Sequence, residues 1–128
     1  MVALAAAHRA GGHEAVMPNT AGMLCEGTGS NVVVEVDGVL VTPPLSSGCL
    51  AGITRELFLE WAAADGLPVV EADVSMQRWR SARTVLLTSS TRDVQPVNVL
   101  DGRPMQVSEL ALRAAQLFVV HAAKGMDP

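Results

Sequence analysis

Three short stretches gather the residues of this sequence that could do chemistry. They are Glu26-Gly27-Thr28-Gly29-Ser30-Asn31, Leu50-Ala51-Gly52-Ile53-Thr54 and Thr88-Ser89-Ser90-Thr91. Each joins small residues to hydroxyls. Glycine lets main-chain N–H groups come close to a ligand, and hydroxyls add donors. Gly52-Ile53-Thr54 also opens a helical pattern, where free amides and the helix dipole favour an anion such as phosphate. Gly, Ser and Thr cluster in ordinary turns too, so these stretches do not by themselves define a site.

Several other chemistries are excluded by residue type. His13-Glu14-Ala15-Val16-Met17 begins like a zinc-protease helix but has methionine where the second histidine must stand. Cys25 and Cys49 have no Cys or His at metal-ligand spacing, so no metal site is expected, and both read as buried small hydrophobes. No serine sits in a G-x-S-x-G elbow. Gly27-Thr28-Gly29 lacks the third glycine of a dinucleotide fingerprint, and no Gly-Lys-Ser/Thr follows a loop. His8, His13 and His121 have no partner acid in view and read as surface residues.

The bulk numbers narrow the partners. The net charge is −4 and the nine basic residues are scattered, so no basic stripe exists for nucleic acid. The apolar runs are too short to span a bilayer. Residues 1–7 lack the basic n-region of a signal peptide, which points to a cytoplasmic location. At 128 residues, 49% hydrophobic and 17% charged, the chain is one domain or part of one, with a real core. Aromatics are only 3%, so that core is built from Val, Leu and Ala.

The elements that must position the three stretches follow from local pattern. Residues 1–10 read as a helix and 13–17 as a short strand. Over 31–42 valines alternate on both sides of Asp37-Gly38, a type I′ hairpin signature, because both turn residues need positive φ. Residues 42–50 read as an ordered loop. The spacing predicts a helix over 54–65, with Leu57, Phe58, Trp61 and Ala64 on its inner face and Gly66 as its stop. Strands are expected over 68–72, 84–88, 94–99 and 103–105, the last two around Asp101-Gly102, with a short helix over 75–81. Ser108 caps a final helix to Lys124, with Leu110, Ala114, Leu117 and Phe118 inward. The mixture predicts an α+β or mixed α/β fold rather than a regular βαβ array.

In this order, the three stretches resemble the fold-type IV aminotransferases, also called class IV. That pyridoxal-phosphate family includes branched-chain aminotransferases, D-amino-acid aminotransferases and aminodeoxychorismate lyases. The likeness rests on L-C-E-G-T-G-S-N at 24–31, on D-G-V-L-V-T-P-P-L-S-S-G-C-L-A-G-I-T-R at 37–55 and on L-T-S-S-T-R-D-V-Q-P-V at 87–97, and it spans nearly the whole chain. It implies that residues 1–128 form the C-terminal, cofactor-binding pseudo-barrel domain of the D-amino-acid aminotransferase-like fold. It also implies pyridoxal 5′-phosphate as cofactor. Glu26 matches the carboxylate paired with the cofactor's pyridine nitrogen. Leu50 matches the apolar residue against the ring, with core packing as its other reading. Gly52, Ile53 and Thr54 match the phosphate-binding helix start, and Ser89 and Ser90 match the second phosphate loop. Arg55 matches a capping position. Arg92 is placed near the substrate carboxylate, with a solvated surface role equally open.

The departures from the family pattern shape the expected function. The family's Schiff-base lysine and small N-terminal domain lie before the first residue given, and Lys124, the only lysine in this sequence, falls outside every matching motif. Ser81-Ala82-Arg83-Thr84 replaces a usual acidic run. The resemblance favours the aminodeoxychorismate lyase branch, of folate synthesis, over branched-chain or D-amino-acid transamination. It implies a small-molecule amine substrate, a homodimer in the full-length family, and no turnover by this chain alone. The reading from a different class is a non-catalytic cofactor-binding or interaction remnant.

Overall fold

The computed structural model describes residues 16–18, 21–27, 30–90, 93–100 and 103–125. The expected helix over 1–10, His8, His13, Arg92 and the Asp101-Gly102 tip lie outside them. Strand β1 (Val16–Pro18) pairs antiparallel with β2 (Leu24–Gly27), a strand in a stretch that reads as loop from the sequence. Then come β3 (Asn31–Val36), β4 (Val39–Thr42), a 3₁₀ turn (Leu45–Ser47), α1 (Ile53–Asp65), β5 (Val69–Glu71) and α2 (Met76–Ser81). Strands β6 (Val85–Ser89), β7 (Asp93–Pro96), β8 (Val99–Leu100) and β9 (Arg103–Pro104) lead to α3 (Glu109–Gly125).

Five strands form the main sheet in the order β5-β4-β3-β6-β7. All neighbours run antiparallel except β4 and β5. The β3–β4 turn is as the sequence predicts: Asp37 has φ 51° and Gly38 has φ 81°. Here the aspartate tolerates, and the glycine supplies, a left-handed backbone at little cost. The expected strand over 94–99 divides instead, because β7 ends at Pro96 and Val99–Leu100 pairs with β9 in a separate ribbon.

The valine-rich strands are buried on both faces. On one side Val33, Leu40, Leu86 and Val94 pack on Phe58 and Ala62 of α1 and on Ala111, Ala114 and Phe118 of α3. On the other, Val32, Val34, Val85 and Leu87 pack on Leu24, Val74 and Trp79. Burying each such side chain contributes roughly 1.5–3 kcal/mol relative to leaving it exposed. Ser75 and Ser108 cap α2 and α3, accepting from Arg78 N and Ala111 N, each at 3.1 Å.

The inner face of α1 differs from expectation. Phe58 is buried as predicted, but Ala62 takes the place expected of Ala64, which is exposed, and Arg55 is buried as well. Leu57 and Trp61 pack against the same core as expected, so the difference is confined to Ala64 and to the burial of an arginine that a hydrophobic pattern places outside. Cys25 and Cys49 are free and buried, as expected. His121 is not without an acid: its Nε2 lies 3.1 Å from both carboxylate oxygens of Asp65, and its ring stacks on Trp61.

Candidate functional site

Strand ends and one helix start converge on a cleft of about 270 Å³. Glu26, near the end of β2, stands on its wall, and so do Leu50, Gly52, Ile53 and Thr54 at the entry to α1. Ser89 and Ser90 close it from the end of β6. All seven residues carried over from the family motifs as cofactor contacts therefore share one cavity. Lys124 sits in the last turn of α3 and is not among the residues lining it.

The carboxylate is held from behind. Leu50 N–H donates to Glu26 Oε1 at 2.8 Å, which fixes one oxygen of a half-buried acid. Leu50 is 73% exposed, so core packing is not its role: it offers an apolar surface to the cavity beside the carboxylate. Ile53 is 79% exposed in the same way.

The α1 end has the opposite electrostatic character. Gly52 is the N-cap and provides no side-chain cap; the first main-chain bond of the helix is Glu56 N–H to Gly52 O at 3.0 Å. The preceding amides, those of Ile53, Thr54 and Arg55, thus have no partner within the helix and carry its positive dipole end. Behind them, Arg55 donates to Pro43 O at 3.0 Å and to Glu71. Burial works against its charge, but the hydrogen bonds with Glu71 and then Glu56 outweigh it and raise its pKa. It is a brace beneath the helix start rather than the cap expected of it, because a guanidinium has no acceptor for the free amides.

Three further lining residues, Ser30, Asn31 and Thr88, belong to the stretches singled out in the sequence but carry no assigned role there. The available signal was a polar residue at the head or tail of an otherwise apolar strand. Thr88 Oγ1 is buried without a hydrogen-bond partner. Among the described residues no group of three or more His, Cys, Asp or Glu is arranged to hold a metal ion. No described helix is long and apolar enough to cross a membrane.

Comparison with known proteins identifies the family and the fold. The family model for amino-transferase class IV matches residues 1–100. A branched-chain-amino-acid aminotransferase of Pseudomonas aeruginosa is 36% identical over 103 residues, covering 80% of this chain and 33% of that protein. The crystal structure of a branched-chain aminotransferase from Thermoproteus uzoniensis with norvaline superposes with a TM-score of 0.88 at 29% identity, over 98% of this chain and 42% of that one. That of an aminotransferase from Brucella abortus bound to the co-factor PLP gives 0.86 at 26% identity, over 94% of this chain and 43% of that one. The chain belongs to the class IV aminotransferase family, and its fold is that of the fold-type IV enzymes. It spans about a third of the length of the curated relative and about two fifths of those two structures.

Proposed function

We propose that residues 1–128 form the cofactor-holding domain of a pyridoxal-phosphate-dependent transaminase of the branched-chain type. The observation that carries this reading is the single cleft shared by the Glu26 carboxylate and the uncapped start of α1, with the exposed Leu50 between them in sequence. The residues present fit a phosphorylated heteroaromatic ring. An anion is favoured at the free amides of Ile53 and Thr54, and the orphaned hydroxyl of Thr88 lies on the same wall. The transaminase names of the relatives support this reading over the lyase favoured from the sequence.

The division of labour follows. Ile53 and Thr54 bind the phosphate, together with Ser89 and Ser90. Leu50 keeps water from one face of the ring. Glu26 holds a proton on the ring nitrogen, because a carboxylate within reach favours the charged, protonated form. Bound pyridoxal phosphate supplies an aldehyde that takes up the substrate amine and a ring that stores the electron pair released at the substrate carbon. The covalent anchor and proton shuttle is a lysine in the family pattern, and Lys124 does not line the cleft. This chain alone is therefore expected to bind the cofactor without turnover; a positioned general base contributes ~10²–10⁴-fold.

The test is a titration of the purified chain with pyridoxamine 5′-phosphate, which needs no lysine to bind, followed by its own fluorescence. Saturable binding of one molecule per chain, displaced by inorganic phosphate, is the expected result. A chain that takes up none refutes the reading. For turnover, the chain is mixed with pyridoxal phosphate, reduced with borohydride and mapped. A stoichiometric adduct at one residue, with amino-group transfer from L-leucine or D-alanine to 2-oxoglutarate, refutes the expected inactivity.

A further inference from the structure

Asn31 is the first residue of β3, 6% exposed, in a strand otherwise of valines and one glutamate. Its Nδ2 donates to Leu50 O at 2.8 Å, while Leu50 N–H donates to Glu26 Oε1 at 2.8 Å. Both main-chain polar groups of one residue are thus clamped by side chains from β2 and β3. With its main chain held at both ends, Leu50 has its side chain directed away from the core. Gly52, two residues on, has φ −60° and ψ 142°, a conformation any residue adopts. What calls for glycine is space: a Cβ there would lie 2.4 Å from Asn31 Oδ1 and 3.6 Å from its Cγ. Amide and glycine are complementary parts of one fitting.

We propose that Asn31 is a positioning residue for this cleft. Through Leu50 it holds the N–H that orients Glu26, and through its contact with Gly52 it sets how closely the start of α1 approaches the carboxylate. The role rests on the cofactor reading above. It is independent of any phosphate contact by Asn31 itself.

The experiment compares the wild-type chain with Asn31→Ala, Gly52→Ala, the double variant and the near-isosteric Asn31→Asp, using pyridoxamine 5′-phosphate as probe and urea unfolding in parallel. Asn31→Ala is expected to weaken binding about tenfold, the scale of one lost hydrogen bond with its neighbour set loose. It should also move the absorption band of the bound probe, which reports protonation of the ring nitrogen. A purely structural role would lower the unfolding midpoint and leave that band in place. Gly52→Ala should cost binding and stability in the wild type and little in the Asn31→Ala background, since the oxygen it strikes is gone. Asn31→Asp keeps the shape but sets an oxygen against Leu50 O in place of the donor, so it should lose the clamp and shift the band too, and it supplies the binding test if Asn31→Ala fails to fold. Additive penalties in unfolding, or an unmoved band with either Asn31 variant, overturn the proposal. If the wild type binds no probe while the unfolding penalties stay non-additive, the cofactor reading falls and the Asn31–Gly52 fitting stands.

Discussion

Asn31 and Thr88 face each other across the β3–β6 ladder, yet their side chains meet opposite fates. The amide of Asn31 is bonded to Leu50 O, whereas Thr88 Oγ1 is buried with no partner. An unmet buried hydroxyl costs about 1–3 kcal/mol. Thr88→Val keeps the shape and removes that cost, so the folded chain should gain roughly 1 kcal/mol in urea unfolding. The same substitution should weaken pyridoxamine phosphate binding severalfold. A variant that loses stability would show that the hydroxyl is satisfied in solution.

Arg55 is 2% exposed and ties the first turn of α1 to Pro43 O and Glu71. In Arg55→Met the apolar stem is retained, but the Pro43 carbonyl loses its donor. Glu56 and Glu71 are each about half exposed and return to water, so no buried charge is stranded. The expected loss is about 2 kcal/mol, measured by denaturant unfolding. Cofactor affinity should fall with it, since the helix start sits directly above.

Gly38 occupies φ 81° in the β3–β4 turn, and a Cβ there would meet nothing within 4 Å, so only its backbone resists substitution. Gly38→Val should cost about 1–2 kcal/mol, because a β-branched residue is strained at positive φ. Asp37→Gly should be tolerated within about 0.5 kcal/mol, as glycine accepts the same conformation. Thermal unfolding of the two variants separates these outcomes.

Burial pushes the Cys25 thiol above its ordinary value of 9.0; a hydrogen bond with the Ser47 side chain lowers it, and Glu26 and Cys49 add to the rise. The folded state therefore holds this proton more tightly than the unfolded chain. Stability from this source is complete below pH 9.0 and is lost as pH climbs through the folded value. The urea midpoint should decline from pH 9.0 upward, and Cys25→Ala should flatten that decline. A midpoint that stays level across the alkaline range in the wild type would contradict the assignment.

Legibility from sequence tracks the distance over which each interaction acts. The Asp37-Gly38 turn and the Ser108 cap depend on neighbours within three residues, and both are readable. On α1, Leu57, Phe58 and Trp61 face the core as read, but the burial of Arg55 is not legible, because its partner Glu71 lies 16 residues away. No local rule gives His121 its acid, because Asp65 lies 56 residues earlier. Glu26 and the Gly52-Ile53-Thr54 turn are legible through family resemblance. Asn31 stands in the first of the three stretches, but its role is hidden, since its partner Leu50 is 19 residues on and no short-range pattern joins them.

The pairing of β4 with β5 is parallel and only three residues long, Leu40↔Val69, Val41↔Val70 and Thr42↔Glu71. Val69 packs against the core while Val70 is exposed, so a slip by one residue would exchange their faces. So short an edge strand holds its alignment weakly through main-chain bonds alone. The guanidinium of Arg55 also binds Glu71, the last residue of that strand, so one side-chain contact reinforces the alignment that three main-chain pairs define; a slipped edge would forfeit it, while Arg55 would keep Glu56 and Pro43 O.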